Sequence, residues 1–190
     1  MRVIAGTAKG TRLSAVPAGV RPLSDRAREG LFASLGGSVD GARVLDLYAG
    51  TGAMGIEALS RGAASATFVE RASPALVALK ANLEKTHLSE RSTVVAAGAL
   101  DFLRGEPSSG PFDLVLADPP YALEGPDLDD VLAQLTFGWL SEGPWTVVLT
   151  RAKTKTEKSS SHVIPLHWVA SRQLGYGDSL VILYREVRWA

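Results

Sequence analysis

From residue 43 onward, short runs of β-branched and other apolar residues alternate with stretches in which apolar residues recur at helical spacing. This alternation predicts βαβ units, which build a parallel sheet covered by helices on both faces. We therefore expect an α/β protein with a Rossmann-like, doubly wound sheet. The predicted strands cover residues 44–48, 67–70, 93–97, 114–117 and 146–150, and the predicted helices cover residues 55–61, 74–85, 99–104 and 128–139.

The two ends of the chain depart from this alternation. Residues 166–174 and 179–186 predict two further strands joined by a glycine-containing turn, so the seven-stranded, mostly parallel sheet should end in an antiparallel strand. Residues 1–16 alternate loosely around two glycines and predict a β-hairpin, after which Ser24 can cap a helix that begins at Asp25 and ends at Gly36. We predict an N-terminal extension over residues 1–40 and an α/β domain over residues 41–190.

Composition narrows the class of protein. The chain has 190 residues, of which 46% are hydrophobic and 21% charged, as expected for one globular domain. No apolar run reaches the about 20 residues of a membrane span, and the first residues lack the apolar stretch of a secretory signal, so we expect a cytoplasmic protein. The absence of cysteine excludes disulfide scaffolds and thiol nucleophiles, and three scattered histidines predict no metal site.

The formal net charge is zero, but the charges are unevenly distributed. Residues 1–30 carry six basic and two acidic side chains, residues 151–172 carry five and one, and residues 101–142 carry one and nine. Two basic segments on one face would bind a polyanion such as RNA. Solvated loops would give the same pattern, and the Lys- and Ser-rich stretch 152–161 is predicted to be one.

A glycine-rich turn follows the first predicted strand. Gly50, Gly52 and Gly55 fit the pattern G-x-G-x-x-G, and the strand before it and the helix after it are the context in which that pattern binds a nucleotide. Glu70 lies 20 residues after Gly50, at the end of the second predicted strand, where an acid can accept hydrogen bonds from ribose hydroxyls. Tyr48 borders the same turn, either as a cofactor contact or as a packing residue.

Asp46 discriminates between the nucleotides that could bind there. It lies within the strand, four residues before Gly50, and its carboxylate would repel the diphosphate of NAD. S-adenosylmethionine (SAM) carries a sulfonium and an amino group, which suit an acidic pocket. SAM is therefore the expected cofactor. Asp101, after the third strand, could reach its adenine, although an acid in the first turn of a helix is favourable by itself.

The sequence Asp-Pro-Pro-Tyr at residues 118–121 ends the fourth predicted strand. Two prolines force the chain out of the sheet beside the glycine turn. The Asp118 carboxylate and the Pro119 carbonyl could then accept both protons of an exocyclic amine of a base, while Tyr121 stacks on the base. This would turn the nitrogen lone pair towards a methyl group. The alternative is a strand that simply ends in a proline turn. The presence of Asp46 and Glu70 at the same edge of the predicted sheet argues against this alternative.

These motifs resemble those of class I SAM-dependent methyltransferases that modify amino groups. Two N-terminal segments point to one family within this class: MRVIAG at residues 1–6 and RPLSDRAREGLF at residues 21–32. With them the chain resembles the RsmD family of bacterial 16S rRNA guanine-N2-methyltransferases, from residue 1 to about residue 178. Leu23 departs from the threonine that the family commonly has at this position.

The resemblance implies methyl transfer from SAM to the N2 amine of a guanine in 16S rRNA, on an assembled or assembling small subunit whose proteins could form part of the docking surface. It assigns the cofactor to Asp46, Gly50, Gly52 and Glu70, and the flipped guanine to Asp118, Pro119 and Tyr121. Residues expected to face the RNA are Lys9, Arg12, Arg21, Ser24 and Arg26.

Three other functions stay open at this point. An adenine-N6-methyltransferase acting on DNA or RNA would use the same motif, but 190 residues leave little room for its target-recognition surface. An oxidoreductase using NAD would use the glycine turn, but Asp46 and the lack of a suitable His or Lys for hydride chemistry argue against it. A non-catalytic RNA-binding module would not need an intact Asp-Pro-Pro-Tyr segment.

Overall fold

The computed structural model describes residues 1–14, 23–107, 109–120, 123, 125–153 and 162–187. Its strands are β1 (Arg43–Leu47), β2 (Ser65–Glu70), β3 (Ser92–Ala96), β4 (Leu114–Ala117), β5 (Thr146–Ala152), β6 (Trp168–Tyr176) and β7 (Ser179–Glu186). Its α-helices are α1 (Asp25–Leu35), α2 (Ala53–Ser60), α3 (Ser73–Lys85), α4 (Ala99–Leu103) and α5 (Pro126–Leu135), and two short 3₁₀ helices cover Gly36–Val39 and Ser89–Arg91.

Within these residues, seven strands form one sheet in the order β3-β2-β1-β4-β5-β7-β6. The first five strands pair in parallel, whereas β7 runs antiparallel to both of its neighbours. The predicted mostly parallel sheet with an antiparallel last strand is confirmed, and it is the sheet of a class I methyltransferase fold. Because the chain winds in opposite directions from β1 and from β4, the crevice for a ligand lies beyond the carboxyl ends of these two strands.

The helices cover the two faces of the sheet with separate cores. Helices α1, α2 and α3 contribute Leu31, Ile56 and Leu79 to one core, whereas α4 and α5 contribute Leu103 and Leu132 to the other. Side chains alternate along β1, so Leu45 and Leu47 enter the second core and Asp46 points towards α2. Among the described residues, no helix is long and apolar enough to cross a membrane.

The predicted hairpin is confirmed over residues 1–14 as a short antiparallel pair centred on Arg2 and Arg12. Its loop is anchored on α2, where the Glu57 carboxylate accepts the backbone N–H groups of Ile4 and Ala5 at 2.8 and 3.1 Å. The hairpin also places apolar side chains in the same core as α1 and α2. Residues 15 and 16 lie outside the described residues, and the domain boundary at residue 40 stays a prediction.

The predicted helix over residues 128–139 is corrected to Pro126–Leu135. Phe137 and Trp139 continue the apolar spacing, but Gly138 has a φ of 83°, which ends any helical path. Trp139 therefore lies in the loop after α5, where its side chain is buried. Its indole N–H donates to the Leu103 carbonyl at 3.0 Å.

Three other local predictions also need correction. The helix predicted over residues 74–85 begins one residue earlier, at Ser73, and Ala72 takes the cap position without a side-chain hydrogen bond. Strand β6 begins at Trp168 and includes Tyr176, which shortens the predicted turn. Strand β5 extends to Ala152, and residues 154–161 of the predicted Lys- and Ser-rich loop lie outside the described residues.

Candidate active site

Two glycines in left-handed conformations shape the loop between β1 and α2. Gly50 has a φ of 56° and Gly52, the N-cap of α2, has a φ of 83°. A Cβ on Gly52 would lie 2.3 Å from Cδ1 of Leu79, so the packing of α3 also requires glycine there. The turn brings the first turn of α2 to β1, where the Gly55 N–H donates to the Asp46 carboxylate at 2.8 Å.

We predict that Gly52→Ala lowers the free energy of unfolding by about 2–4 kcal/mol, because it adds a steric overlap to a left-handed backbone. Gly50→Ala should lower it by only about 1 kcal/mol, since the nearest atom to its new Cβ would be the Tyr48 carbonyl oxygen, at 4.0 Å. Urea unfolding of both variants measures the difference. Equal losses would show that crowding by α3 plays no part.

Asp46 is a buried carboxylate at the centre of the site. It is 1% exposed, and its Oδ2 accepts the backbone N–H of Gly55, in the first turn of α2, at 2.8 Å. Burial raises the pKa of Asp46 to about 7, the Gly55 hydrogen bond opposes this, and the charges of Asp118 and Glu70 add to it. A carboxylate in this position is stabilised in its charged form by a cationic ligand.

Glu70 joins the end of β2 to the glycine loop. Its Oε2 accepts the backbone N–H of Gly50 at 2.9 Å, and its Oε1 accepts those of Arg71 and Ala72 at 2.8 and 2.7 Å. These three hydrogen bonds fix the carboxylate at the mouth of the crevice. Glu70 therefore positions the loop in addition to any contact that it makes with a ligand.

Asp118 follows β4 directly and lies beside the end of β1, because β1 and β4 are neighbours. Burial raises the pKa of the Asp118 carboxyl to about 6, and the Thr150 hydroxyl opposes the shift. Pro119 is buried and Pro120 is exposed, so the chain leaves the sheet at this point. Tyr121 lies outside the described residues, and its expected stacking on a base stays a prediction.

One cleft brings several of the predicted residues together. Its lining includes Asp46, Asp118, Tyr48 and Gly50. Burial in this cleft raises the pKa of the Tyr48 hydroxyl to about 12. Asp101 is not among its lining residues; it lies exposed in the first turn of α4. The complete lining is Leu23, Arg28, Asp46, Tyr48, Ala49, Gly50, Thr51, Ala53, Met54 and Asp118.

Arg28 lines the same cleft, and no site role for it was predicted from the sequence. Its side chain is fully buried, and its guanidinium donates to the carbonyls of Arg2 and Ala53 at 2.7 and 3.3 Å and to the Asp25 carboxylate at 2.7 Å. It thus joins the hairpin, α1 and the start of α2. In the sequence, the feature that indicates a buried role for Arg28 is its position within the apolar stripe of α1.

Asn82 is a second residue that the sequence did not single out. It is fully buried in α3, where its Oδ1 accepts the backbone N–H of Ser14 at 2.8 Å and its Nδ2 donates to the Thr51 carbonyl at 2.9 Å. One side chain therefore holds both the end of the hairpin and the glycine loop.

The residues expected to contact RNA differ from one another in exposure and in their hydrogen bonds. Lys9, Arg12 and Arg26 are exposed, as a contact with RNA requires. Ser24 is the N-cap of α1, and its hydroxyl accepts a backbone N–H from the first turn of that helix at 3.2 Å. Ser24 therefore has a structural role, and Arg21 lies outside the described residues.

The model of the protein family described as conserved hypothetical protein 95 matches residues 1–185. The chain belongs to this family. The ribosomal RNA small subunit methyltransferase D of Haemophilus influenzae is 32% identical over 188 residues, which are 98% of this chain and 94% of that protein. The resemblance to the RsmD family is thereby confirmed, and the match includes the hairpin and α1.

Solved structures share this fold. The Escherichia coli protein yhhF superimposes with a TM-score of 0.82 at 32% identity, covering 98% of this chain and 97% of its own. SMU.776, solved in complex with SAH, has a TM-score of 0.66 at 16% identity and covers 88% of this chain and 50% of its own. The second likeness concerns the fold alone.

Proposed function

We propose that this protein transfers a methyl group from SAM to the N2 amine of a guanine in small-subunit rRNA. The observation that carries the proposal is the single cleft in which the buried carboxylate of Asp46 faces the glycine loop and Asp118 ends the adjacent strand. Membership of the family and the name of the H. influenzae relative support rRNA as the substrate. The N-terminal resemblance favours guanine N2 over adenine N6.

The residues of the cleft fit SAM. Asp46 is a buried carboxylate suited to the cationic end of the cofactor, and the glycines beside it allow a ligand to approach the backbone closely. Glu70, held at the edge of the crevice by three hydrogen bonds, would accept the ribose hydroxyls. When bound, the cofactor supplies an electrophilic methyl group.

Asp118 and Pro119 would hold and orient the amine of the flipped base. The nitrogen lone pair of an exocyclic amine is delocalised into the base, which makes it a weak nucleophile. Hydrogen bonds from the amine to the Asp118 carboxylate and the Pro119 carbonyl would direct that lone pair towards the methyl group. Asp118, with a pKa of about 6, would also accept the proton that the nitrogen loses after transfer.

The N-terminal extension over residues 1–40 would face the RNA. Its exposed cations Lys9, Arg12 and Arg26 lie on the segment that also contributes Leu23 and Arg28 to the wall of the cleft. A strand of rRNA bound by these cations would therefore run past the mouth of the active site. Proteins of the small subunit could complete the docking surface, and we expect the protein to act in the cytoplasm, where subunits are assembled.

The direct test is transfer of labelled methyl from SAM to ribosomal subunits purified from cells that lack this modification. We expect small subunits to be labelled to about one methyl group per particle, while large subunits from the same cells stay unlabelled. Labelling of large subunits or transfer RNA instead would overturn the proposed substrate. SAM binding without transfer to any RNA would overturn the proposed activity.

A further inference from the structure

Two arginines face each other across the N-terminal hairpin. Arg2 and Arg12 are direct partners in the antiparallel pair, so their side chains extend from the same face. In a pair that lacks mutual hydrogen bonds, directly opposite side chains are closest, and like charges there destabilise the hairpin. The bonds on either side show that this is such a pair: Val3 N–H donates to Thr11 O at 3.0 Å and Leu13 N–H donates to Met1 O at 3.2 Å.

The neighbouring helices hold the two arginines in this arrangement. The Arg2 carbonyl accepts a hydrogen bond from the Arg28 guanidinium of α1 at 2.7 Å, and the Arg12 carbonyl accepts one from the Lys85 ammonium of α3 at 2.6 Å. Each backbone carbonyl is therefore fixed by a cation from a different helix. The fold keeps two repelling charges opposite each other rather than letting the strands shift in register.

The arginines line an open pocket of about 330 Å³ together with Met1, Leu13 and Asp25. The Asp25 carboxylate lies 2.7 Å from the guanidinium of Arg28, so its charge is already paired. Among the described residues, neither Arg2 nor Arg12 has an ion-pair partner within 4.0 Å. The start of α1 adds the positive end of a helix dipole to the same pocket.

We propose that this pocket binds a phosphate group of the RNA backbone, held between the guanidinium groups of Arg2 and Arg12. Two guanidiniums provide a set of charge-assisted hydrogen-bond donors that matches the oxygens of a phosphodiester, and the anion removes their repulsion. The inference rests on the proposed function, because it takes RNA to be the polyanion. It adds to the proposed function a second RNA-binding site, which lies outside the cleft.

The position of the pocket relates this phosphate to the target base. Asp25 lines the phosphate pocket, whereas Arg28 lines the cleft, and the two residues are one helical turn apart on α1. The rise of a turn is about 5 Å along the helix axis. The pocket and the cleft are therefore adjacent along α1, and a phosphate bound between Arg2 and Arg12 would belong to the strand that carries the flipped base.

The test measures binding of protein-free small-subunit rRNA over a series of salt concentrations. Arg2→Gln and Arg12→Gln should each weaken binding about tenfold at low salt and each reduce the slope of log K against log salt by about one. Arg104→Gln is the matched control, because Arg104 is an exposed arginine after α4, on the opposite face of the sheet. It should leave the slope unchanged.

The stability of the RNA-free protein separates a binding role from a structural one. Because Arg12→Gln removes a like-charge repulsion, the thermal midpoint should rise by about 1–3 °C at low salt, and the rise should disappear at high salt. A structural arginine would show the opposite sign. A lowered midpoint in both single variants would overturn the proposal.

Two binding results would also overturn it. Unchanged salt slopes in both variants would exclude a phosphate contact. Weakened binding to intact subunits, with unchanged binding to protein-free rRNA, would indicate an acidic protein surface as the occupant. Failure of the proposed function itself would appear separately, as absence of methyl transfer to small subunits by the unaltered protein.

Discussion

Replacing Asp118 with alanine should lower the rate of methyl transfer by at least about 10²-fold while changing the affinity for SAM by less than about threefold. The carboxylate lies at the end of β4, where it would accept a proton of the substrate amine, whereas Asp46 and the glycine loop would hold the cofactor. Without that acceptor, the lone pair of the amine is no longer directed at the methyl group. Single-turnover transfer and titration calorimetry on one preparation measure the two quantities.

A matched control for this variant is Asp130→Asn, which removes an exposed carboxylate of α5 that pairs only weakly, at 3.7 Å, with Arg104. It should change neither transfer nor binding. If Asp118→Ala lost cofactor affinity as strongly as it lost transfer, with its circular dichroism unchanged, the assignment of Asp118 to the substrate amine would be wrong.

The same carboxylate predicts the pH dependence of transfer. Burial raises the pKa of Asp118 to about 6, and only the ionised form can accept the proton of the amine. With SAM saturating, the transfer rate should therefore fall as the pH decreases through about 6 and level off above about 7. Asp118→Asn should remove this step from the profile. A rate that is flat between pH 5 and 8 in the unaltered protein would contradict the role of Asp118.

Replacing Asp46 with asparagine should have two effects of opposite sign. The pKa of Asp46 is raised to about 7, above its value in the unfolded chain, so the folded state binds the proton more tightly. The free energy of unfolding should therefore decrease as the pH increases from about 4 to about 7, and the full penalty is present above pH 7. Asparagine removes the buried charge and can still accept the Gly55 hydrogen bond.

At pH 8 we expect Asp46→Asn to raise the free energy of unfolding of the cofactor-free protein by about 1–4 kcal/mol. The affinity for SAM should fall by at least about 10²-fold, because the cationic end of the cofactor loses its buried partner. Chemical denaturation and calorimetry test the pair of effects. A destabilised variant that binds SAM normally would show that Asp46 supports the fold and not the cofactor.

The fold could be predicted closely because its signals are local. The β-branched runs and the glycine turn locate β1, β2 and β4 to within two residues, and the spacing from Asp46 to Gly50 and Glu70 locates the crevice. The end of α5 was predicted wrongly because apolar spacing continues through Trp139 while Gly138 reverses the backbone. The spacing of apolar residues gives no sign of this change in backbone direction.

The polar contacts that hold the hairpin against the site could not be predicted, because their partners are distant in sequence. Glu57 accepts the N–H of Ile4 across 53 residues, and Asn82 accepts that of Ser14 across 68. In the sequence neither residue stands out, because Ser60 is also polar in α2 and several other side chains of α3 are polar or charged. Only the sheet topology, which places α2 and α3 on one face with the hairpin, shows which backbone groups they satisfy.

We propose guanine N2 in small-subunit rRNA as the acceptor of the methyl group. The most direct test is to incubate small subunits that lack the modification with labelled SAM, digest the rRNA and identify the labelled nucleoside by mass spectrometry. We expect label in N2-methylguanosine at one position, and at least about 10²-fold slower labelling with Asp118→Ala. Label in N6-methyladenosine, or no label despite measurable SAM binding, would contradict it.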